Sequence, residues 1–354
     1  MQDIIVPPLN KEAAEIVHKN WQAVDEVPYQ LGKVEKMVEK YAAICGTPDF
    51  EGKIKSAMLL MCGDHGIAKY GVSAYPQEVT MQMINGYMRG TAGANVMARH
   101  AGADVFVVDM GTTFDLSHLP KVRNEKVAWG TEDFTKGPAM TRAEAVEAIG
   151  RGIDLTRQLA AEGYGLVATG EMGIGNTTTS SAVAAVLLGQ PVERMTGRGA
   201  GLSDEGLARK IDAIHRGIAK NQPDSADALD VLAKLGGFDI AGLCGVFLGG
   251  ALEGVPVLAD GFISCVAALC AVRLCPAAAK AVFASHCSTE PAAKLVLDAL
   301  NKKALITAGL HLGEGTGAVA AIPLWDMALA VYDGCYSFEE GGIEAYTPQG
   351  GAGC

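Results

Sequence analysis

The sequence predicts an α/β protein: a parallel sheet covered by helices, with a small helical domain built from both ends of the chain. Three observations predict it. Short apolar runs alternate with segments of helical period. Glycine is abundant, at 44 of 354 residues, in a chain that is 49% hydrophobic and only 6% aromatic. Chains so rich in glycine and small or branched aliphatics pack helices closely on buried parallel strands. Finally, the first 50 residues carry two helical patterns with no strand between them.

In chain order, residues 11–23 and 31–44 read as helices. Strands are expected at 57–62 and 104–109, then at 165–169, 255–258 and 282–285. Thr141-Arg142-Ala143-Glu144 is a capping box, and Gly163 closes the helix it opens. A helix is expected at 180–188, and Ser203-Asp204-Glu205 opens another that carries Arg209 and Lys210. An apolar, helix-like run covers 318–330, and 324–332 is a helix that can pack with the two N-terminal ones. The expected division is 1–50 plus 320–354 as the helical domain and 51–319 as the sheet domain. The tail 347–354 is glycine-rich and expected to be mobile.

The formal net charge of −11 argues against nucleic acid as the main partner, while leaving room for a local anion site. Nine cysteines form no C-x-x-C pair and no zinc-type spacing; Cys265, Cys270 and Cys275 read as buried thiols of a reducing compartment. The N-terminal segment lacks a basic start and a long apolar core. The apolar region 240–272 is broken by Glu253, Pro256 and Asp260. The expectation is a cytoplasmic protein with no membrane partner.

Chemistry is expected where parallel strands end, because ligands bind there in open α/β sheets. Four polar loops occupy such positions: Gly63-Asp64-His65-Gly66, Gly170-Glu171-Met172-Gly173, Ala259-Asp260-Gly261 and His286-Cys287-Ser288. A further segment, Leu312-Gly313-Glu314-Gly315-Thr316-Gly317, holds a carboxylate between glycines. Close approach of a substrate to such a backbone makes Glu314 a candidate general base. Alone, the segment reads equally as a helix start with Glu314 near the dipole. Gly173-Ile174-Gly175-Asn176-Thr177-Thr178 exposes amides before a helix, which suits a phosphate, although a Thr-capped turn would look the same. It is neither a P-loop nor G-x-G-x-x-G, which disfavours a dinucleotide-binding oxidoreductase. Lys210 can add a point charge or stay a solvated helix lysine. Asp64 and His65 lack further ligands at metal spacing and read as a hydrogen-bonded loop. His286, Ser288 and Glu290 without a G-x-S-x-G elbow read as the lining of a polar pocket.

Taken together, these segments resemble the nicotinate-nucleotide–dimethylbenzimidazole phosphoribosyltransferase family. The resemblance runs from about Gly63 to Leu324. It is carried by Gly63-Asp64-His65-Gly66, Gly71-Val72-Ser73-Ala74-Tyr75-Pro76-Gln77-Glu78-Val79-Thr80, 170–178 and Gly236-Gly237-Phe238-Asp239-Ile240. Asp260-Gly261-Phe262-Ile263-Ser264, Ser285-His286 and 312–317 complete it. It implies a Rossmann-like domain plus the small helical domain, and no cofactor or metal. The implied reaction moves 5-phosphoribosyl from nicotinate mononucleotide to an aromatic base, with inversion at C1′.

By the resemblance, Glu314 matches the general base and Glu171 a carboxylate beside C1′. Gly173, Ile174, Gly175, Asn176 and Thr177 with Lys210 match the phosphate cradle. Asp260 and Ser288 match groups around the nucleotide, and Tyr75, Met83 and Leu312 line the acceptor base. Some relatives use phenol or p-cresol and work as two paralogous chains, so a homodimer or a paralogue heterodimer is implied. Retention of Glu314 and the full glycine loop argues against a non-catalytic stabilising paralogue. Val27-Pro28-Tyr29-Gln30-Leu31-Gly32 departs from the family's Pro-Pro-Gly-Ser-Leu-Gly-like turn.

Overall fold

The computed structural model describes residues 4–24, 31–50 and 54–345. Residues 27–30 of the altered turn and the tail 347–354 lie outside them. The expected strands form one six-stranded sheet with β1 (Ser56–Gly63), β2 (Ala103–Gly111), β3 (Arg123–Asn124), β4 (Leu166–Met172), β5 (Val257–Ala259) and β6 (Val282–Ala284). Every pairing is parallel and the order is β3-β2-β1-β4-β5-β6. Two-residue β3 is the strand the sequence did not announce, being too short to show a period.

The central strand β1 is buried along its whole length, as its unbroken apolar run demands of a strand covered on both faces. Leu59 and Met61 point into one core and Met58, Leu60 and Cys62 into the other. On the first face the Arg142–Ala161 helix packs against Phe238–Glu253, a helix buried on nearly every side. Glycines set that contact: a Cβ on Gly152 would lie 2.0 Å from the Gly242 carbonyl oxygen, and one on Gly245 2.0 Å from that of Ile149. No helix among the described residues is long and apolar enough to cross a membrane.

On the second face the N-terminal helices Lys11–Ala23 and Lys33–Cys45 meet Thr316–Gly334 from the other end of the chain. Trp325 is fully buried between Tyr41 (ring centroids 5.6 Å apart) and Phe283 (4.9 Å). The Thr316–Gly334 helix unites the expected helix-like run 318–330 with the helix expected at 324–332, runs through Pro323 and spans 19 residues. Apolar burial on the sheet outweighs the one backbone bond that proline removes. Its first turn therefore lies at the sheet edge where the polar loops gather.

The helix expected at 180–188 also begins earlier, at Asn176, directly after Gly175 at φ 101°. The threonines read as a loop are thus its first turn. The Thr141 capping box forms on both sides: the Glu144 amide donates to the Thr141 hydroxyl, and the Thr141 amide donates to the Glu144 carboxylate.

Candidate active site

The order 3-2-1-4-5-6 reverses direction between β1 and β4, which opens a crevice beyond their carboxyl ends. The two strands approach so closely there that a Cβ on Gly173 would sit 2.1 Å from the Gly63 carbonyl oxygen. One cavity lies beyond the strand ends. Glu171, Gly173, Ile174, Gly175, Asn176, Thr177, Asp260, Ser288, Leu312 and Glu314 line it, with Ser73, His286 and Glu290 beside them. Most of the residues singled out in the sequence are therefore neighbours in space.

Glu314 sits at φ +60° between Gly313 (+80°) and Gly315 (+84°). Three successive left-handed residues make a tight backbone knot, and the non-glycine member costs about 1–2 kcal/mol. Such an outlier, held by its surroundings, points to a functional position. Its carboxyl is buried, with Oε2 lacking a hydrogen-bond partner among the described residues. Burial raises this carboxyl above its ordinary range; the nearby Tyr87 hydroxyl pulls it down and the Asp260 charge pushes it up again. Glu171 is also buried, and its carboxyl is pushed up to about 8. Desolvation dominates; hydrogen bonds from Asn176 and from the Glu314 amide lower it, and the charges of Asp260 and Asp239 raise it. The Glu314 amide donates to Glu171 Oε1 at 3.2 Å, so the two carboxyls are held in one frame.

That frame is pinned by Asp260. The Gly315 amide donates to its Oδ2 at 3.1 Å and the Ala318 amide to its Oδ1 at 2.9 Å, so the carboxylate caps the Thr316–Gly334 helix. Both oxygens are thus committed to backbone amides, and Asp260 acts on the site through the Glu314 loop. Buried His286 lies 3.6 Å from Asp260 Oδ1 through Nε2. The same ring occupies the space a Cβ on Gly317 would need, at 1.8 Å.

The glycine loop opens the Asn176–Leu188 helix toward the cavity. The Gly175 and Thr177 amides make no hydrogen bond to the described residues, so both are open to an anion. Two loop positions depart from the expected cradle. The Ile174 amide already donates to Thr80 Oγ1 at 3.2 Å. The Asn176 side chain turns away from an anion position: its Nδ2 donates to Glu171 Oε2 and, at 3.3 Å, to Asp239 Oδ2.

Lys210 is fully buried beneath the loop. Its Nζ donates to Thr177 Oγ1 at 2.9 Å and to the Gly197 carbonyl at 3.0 Å. Burial pushes this ammonium down to about 8, and the Glu290 carboxylate pulls it back up. Glu290 Oε1 accepts the Gly199 amide at 3.1 Å, which closes the 197–201 loop over the lysine. A Lys cation under two open amides has the chemistry to receive an anion such as a phosphate.

The acceptor-side residues are less gathered. Leu312 lines the cavity and is 63% exposed, Tyr75 is 53% exposed, and Met83 is half-buried on the Glu78–Arg89 helix; neither Tyr75 nor Met83 is among the cavity-lining residues. That helix instead gives the site Thr80 and Tyr87. Sequence reasoning missed both, although Thr80 ends a segment read as informative. It also assigned no site role to Asp239 or His65. His65 is buried between Thr179 Oγ1 (3.1 Å from Nδ1) and Asp239 Oδ1 (3.2 Å from Nε2). Asp64 accepts the Thr113 amide at 2.8 Å and hydroxyl at 2.9 Å.

Known proteins resemble this chain in sequence and fold. The family model described as phosphoribosyltransferase matches residues 6–343. A protein of Acetivibrio thermocellus named nicotinate-nucleotide–dimethylbenzimidazole phosphoribosyltransferase is 44% identical over 96% of the chain and 97% of its own length. A protein of the same name from Chloroflexus aggregans is 45% identical over 96% of each chain. The crystal structure of CobT from Thermus thermophilus superposes with a TM-score of 0.89 at 38% identity, covering 95% of the chain and 100% of its own.

Proposed function

The chain belongs to this phosphoribosyltransferase family, and from that membership we propose that it transfers 5-phosphoribosyl from nicotinate mononucleotide to 5,6-dimethylbenzimidazole or a close relative. The products are nicotinate and an α-riboside phosphate. The observation that carries the reading is the pairing of Glu314 with Glu171 in a cavity that also holds open amides above a buried lysine.

In this reading the phosphate sits on the Gly175 and Thr177 amides, with Lys210 beneath them. Gly173 lets the ribose lie close against the strand ends, and Ser288 offers a hydroxyl at the cavity wall. The flat acceptor stacks on the Leu312 side, toward Tyr75 and Met83. The acceptor nitrogen attacks C1′ from the face opposite nicotinate; the C1′–N bond to nicotinate breaks as the new one forms, and nicotinate leaves with the electron pair. Glu314 takes the acceptor's N–H proton. The partly buried, upshifted carboxyl is a stronger base than an exposed one would be. Ionised Glu171 stabilises positive charge that develops at C1′. The dimethylbenzimidazole in both relatives' names favours an azole acceptor over a phenol.

Purified protein incubated with nicotinate mononucleotide and 5,6-dimethylbenzimidazole should give the riboside phosphate by mass spectrometry. Glu314→Ala should lower kcat by about 10²–10⁴, the worth of a positioned general base. An unchanged rate in the variant would remove Glu314 from the chemistry.

A further inference from the structure

We infer that Asp239, packed against His65 and bridged to Glu171 by the Asn176 side chain, is a positioning residue that helps keep Glu171 protonated in the empty site and couples nucleotide binding to proton release. The coupling to nucleotide rests on the function proposed above; the control of Glu171 does not.

The geometry is a buried relay. Asn176 Nδ2 has two hydrogens and sends both to carboxyls, Glu171 Oε2 and Asp239 Oδ2. A primary amide that donates to two carboxyls fixes their separation and neutralises neither. Asp239 is completely buried. Its second oxygen faces His65 Nε2 at 3.2 Å, and Thr179 Oγ1 meets the other ring nitrogen at 3.1 Å. The Nδ1 contact with the threonine hydroxyl is a hydrogen bond, whereas Nε2 and Asp239 Oδ1 lie close without hydrogen-bond geometry. The fold reserves the place for this ring: a Cβ on Gly237 would lie 2.2 Å from His65 Cε1, and one on Gly173 3.1 Å from Nε2.

The groups that face Glu171 come from several elements. Asp239 comes from the Phe238–Glu253 helix, Asp260 follows β5, Cys62 lies on β1, Tyr87 lies on Glu78–Arg89, and the Glu314 amide comes from the loop before Thr316–Gly334. Two carboxylates therefore press on a third carboxyl that is out of water. Like charges so placed cannot all ionise cheaply, so the cluster retains a proton. This fits the direction found for Glu171. Nicotinate mononucleotide carries a pyridinium nitrogen bonded to C1′. Its cation beside Glu171 favours the carboxylate, so one proton leaves Glu171 for solvent as the nucleotide enters. The site then becomes negative where the glycosidic bond must break.

The test is a carbon-13 NMR titration of glutamate carboxyls in the full, nucleotide-free chain, with Glu171→Gln to assign the signal. Glu171 should titrate near 8 in the native protein, and Asp239→Asn should lower that midpoint by about one unit, a tenfold change in protonation at fixed pH. A native Glu171 that titrates in the ordinary carboxylate range overturns the inference, whether or not Asp239→Asn folds. So does an Asp239→Asn variant with an unmoved midpoint. Calorimetry of nicotinate mononucleotide binding at neutral pH, in two buffers of different ionisation enthalpy, reads the coupling. Native protein should release measurably more protons per nucleotide than Glu171→Gln. Equal release would overturn the coupling, while no binding by native protein would instead sink the proposed function and leave the NMR result standing.

Discussion

The knot at Gly313-Glu314-Gly315 shows how a few side chains are made to converge. Its left-handed backbone is costly, and Asp260 holds it by accepting two amides from the helix that follows. Lys210 is the other residue whose placement runs against its chemistry, a cation with no water around it. A phosphate arriving above Thr177 would add an anion beside that cation, whose present partners are the Thr177 hydroxyl, the Gly197 carbonyl and the Glu290 charge. Lys210→Met keeps the volume and removes the charge; hydrogen bonds to charged groups are worth about 1.5–3 kcal/mol, so the KM for the nucleotide should rise by about 10–100-fold. In the native protein it should also rise as pH passes about 8, where this lysine loses its proton, and the variant should lack that rise. Identical pH profiles would exclude Lys210 from the anion site. Glu314, Glu171 and Lys210 were legible in the sequence because glycines or a helix start surrounded each. Asp239, His65 and Tyr87 were not, because their roles depend on contacts between distant segments, such as Asn176 and Asp239, 63 positions apart.

Elements were legible in proportion to how much of their signal is local. The Lys11–Ala23 helix and the Thr141 cap declare themselves through period and punctuation, and both form as read. The starts at Asn176 and Thr316 do not, because the preceding glycines look like loop and only the tertiary setting continues the helix to them. The apolar Phe238–Glu253 helix has no polar face to reveal its period, since it is buried all round. Thr141→Ala should cost about 1 kcal/mol, the usual worth of a Ser/Thr cap. It should appear as a lower urea midpoint with kcat/KM unchanged, since the cap is remote from the cavity; an unchanged midpoint would mean that tertiary packing alone holds this helix start. The lysines Lys33, Lys40, Lys302 and Lys303 line a groove along β6, the last strand of the sheet order. The segment at 305–306 covers that edge, the Leu305 amide donating to the Ala284 carbonyl at 3.2 Å, so the strand is not left open to another chain.

The whole molecule places its chemistry by topology. A sheet in which every strand runs one way brings four polar loops to one edge, and the reversal between β1 and β4 opens the crevice among them. The sequence conveys that much through alternation alone. It does not convey the order of strands, since nothing local distinguishes β2 beside β1 from β4 beside β1. Nor does it convey that the Thr316–Gly334 helix begins at the cavity edge and ends among the N-terminal helices. That helix links Glu314 mechanically to Trp325 and the second core. The central claim is that this edge builds a riboside with inversion. Proton NMR of the product from nicotinate mononucleotide and 5,6-dimethylbenzimidazole reads the anomeric configuration directly. The expected product is the α-riboside phosphate, with nicotinate released in equal amount; a β-riboside, or hydrolysis to ribose phosphate with no base attached, would contradict it.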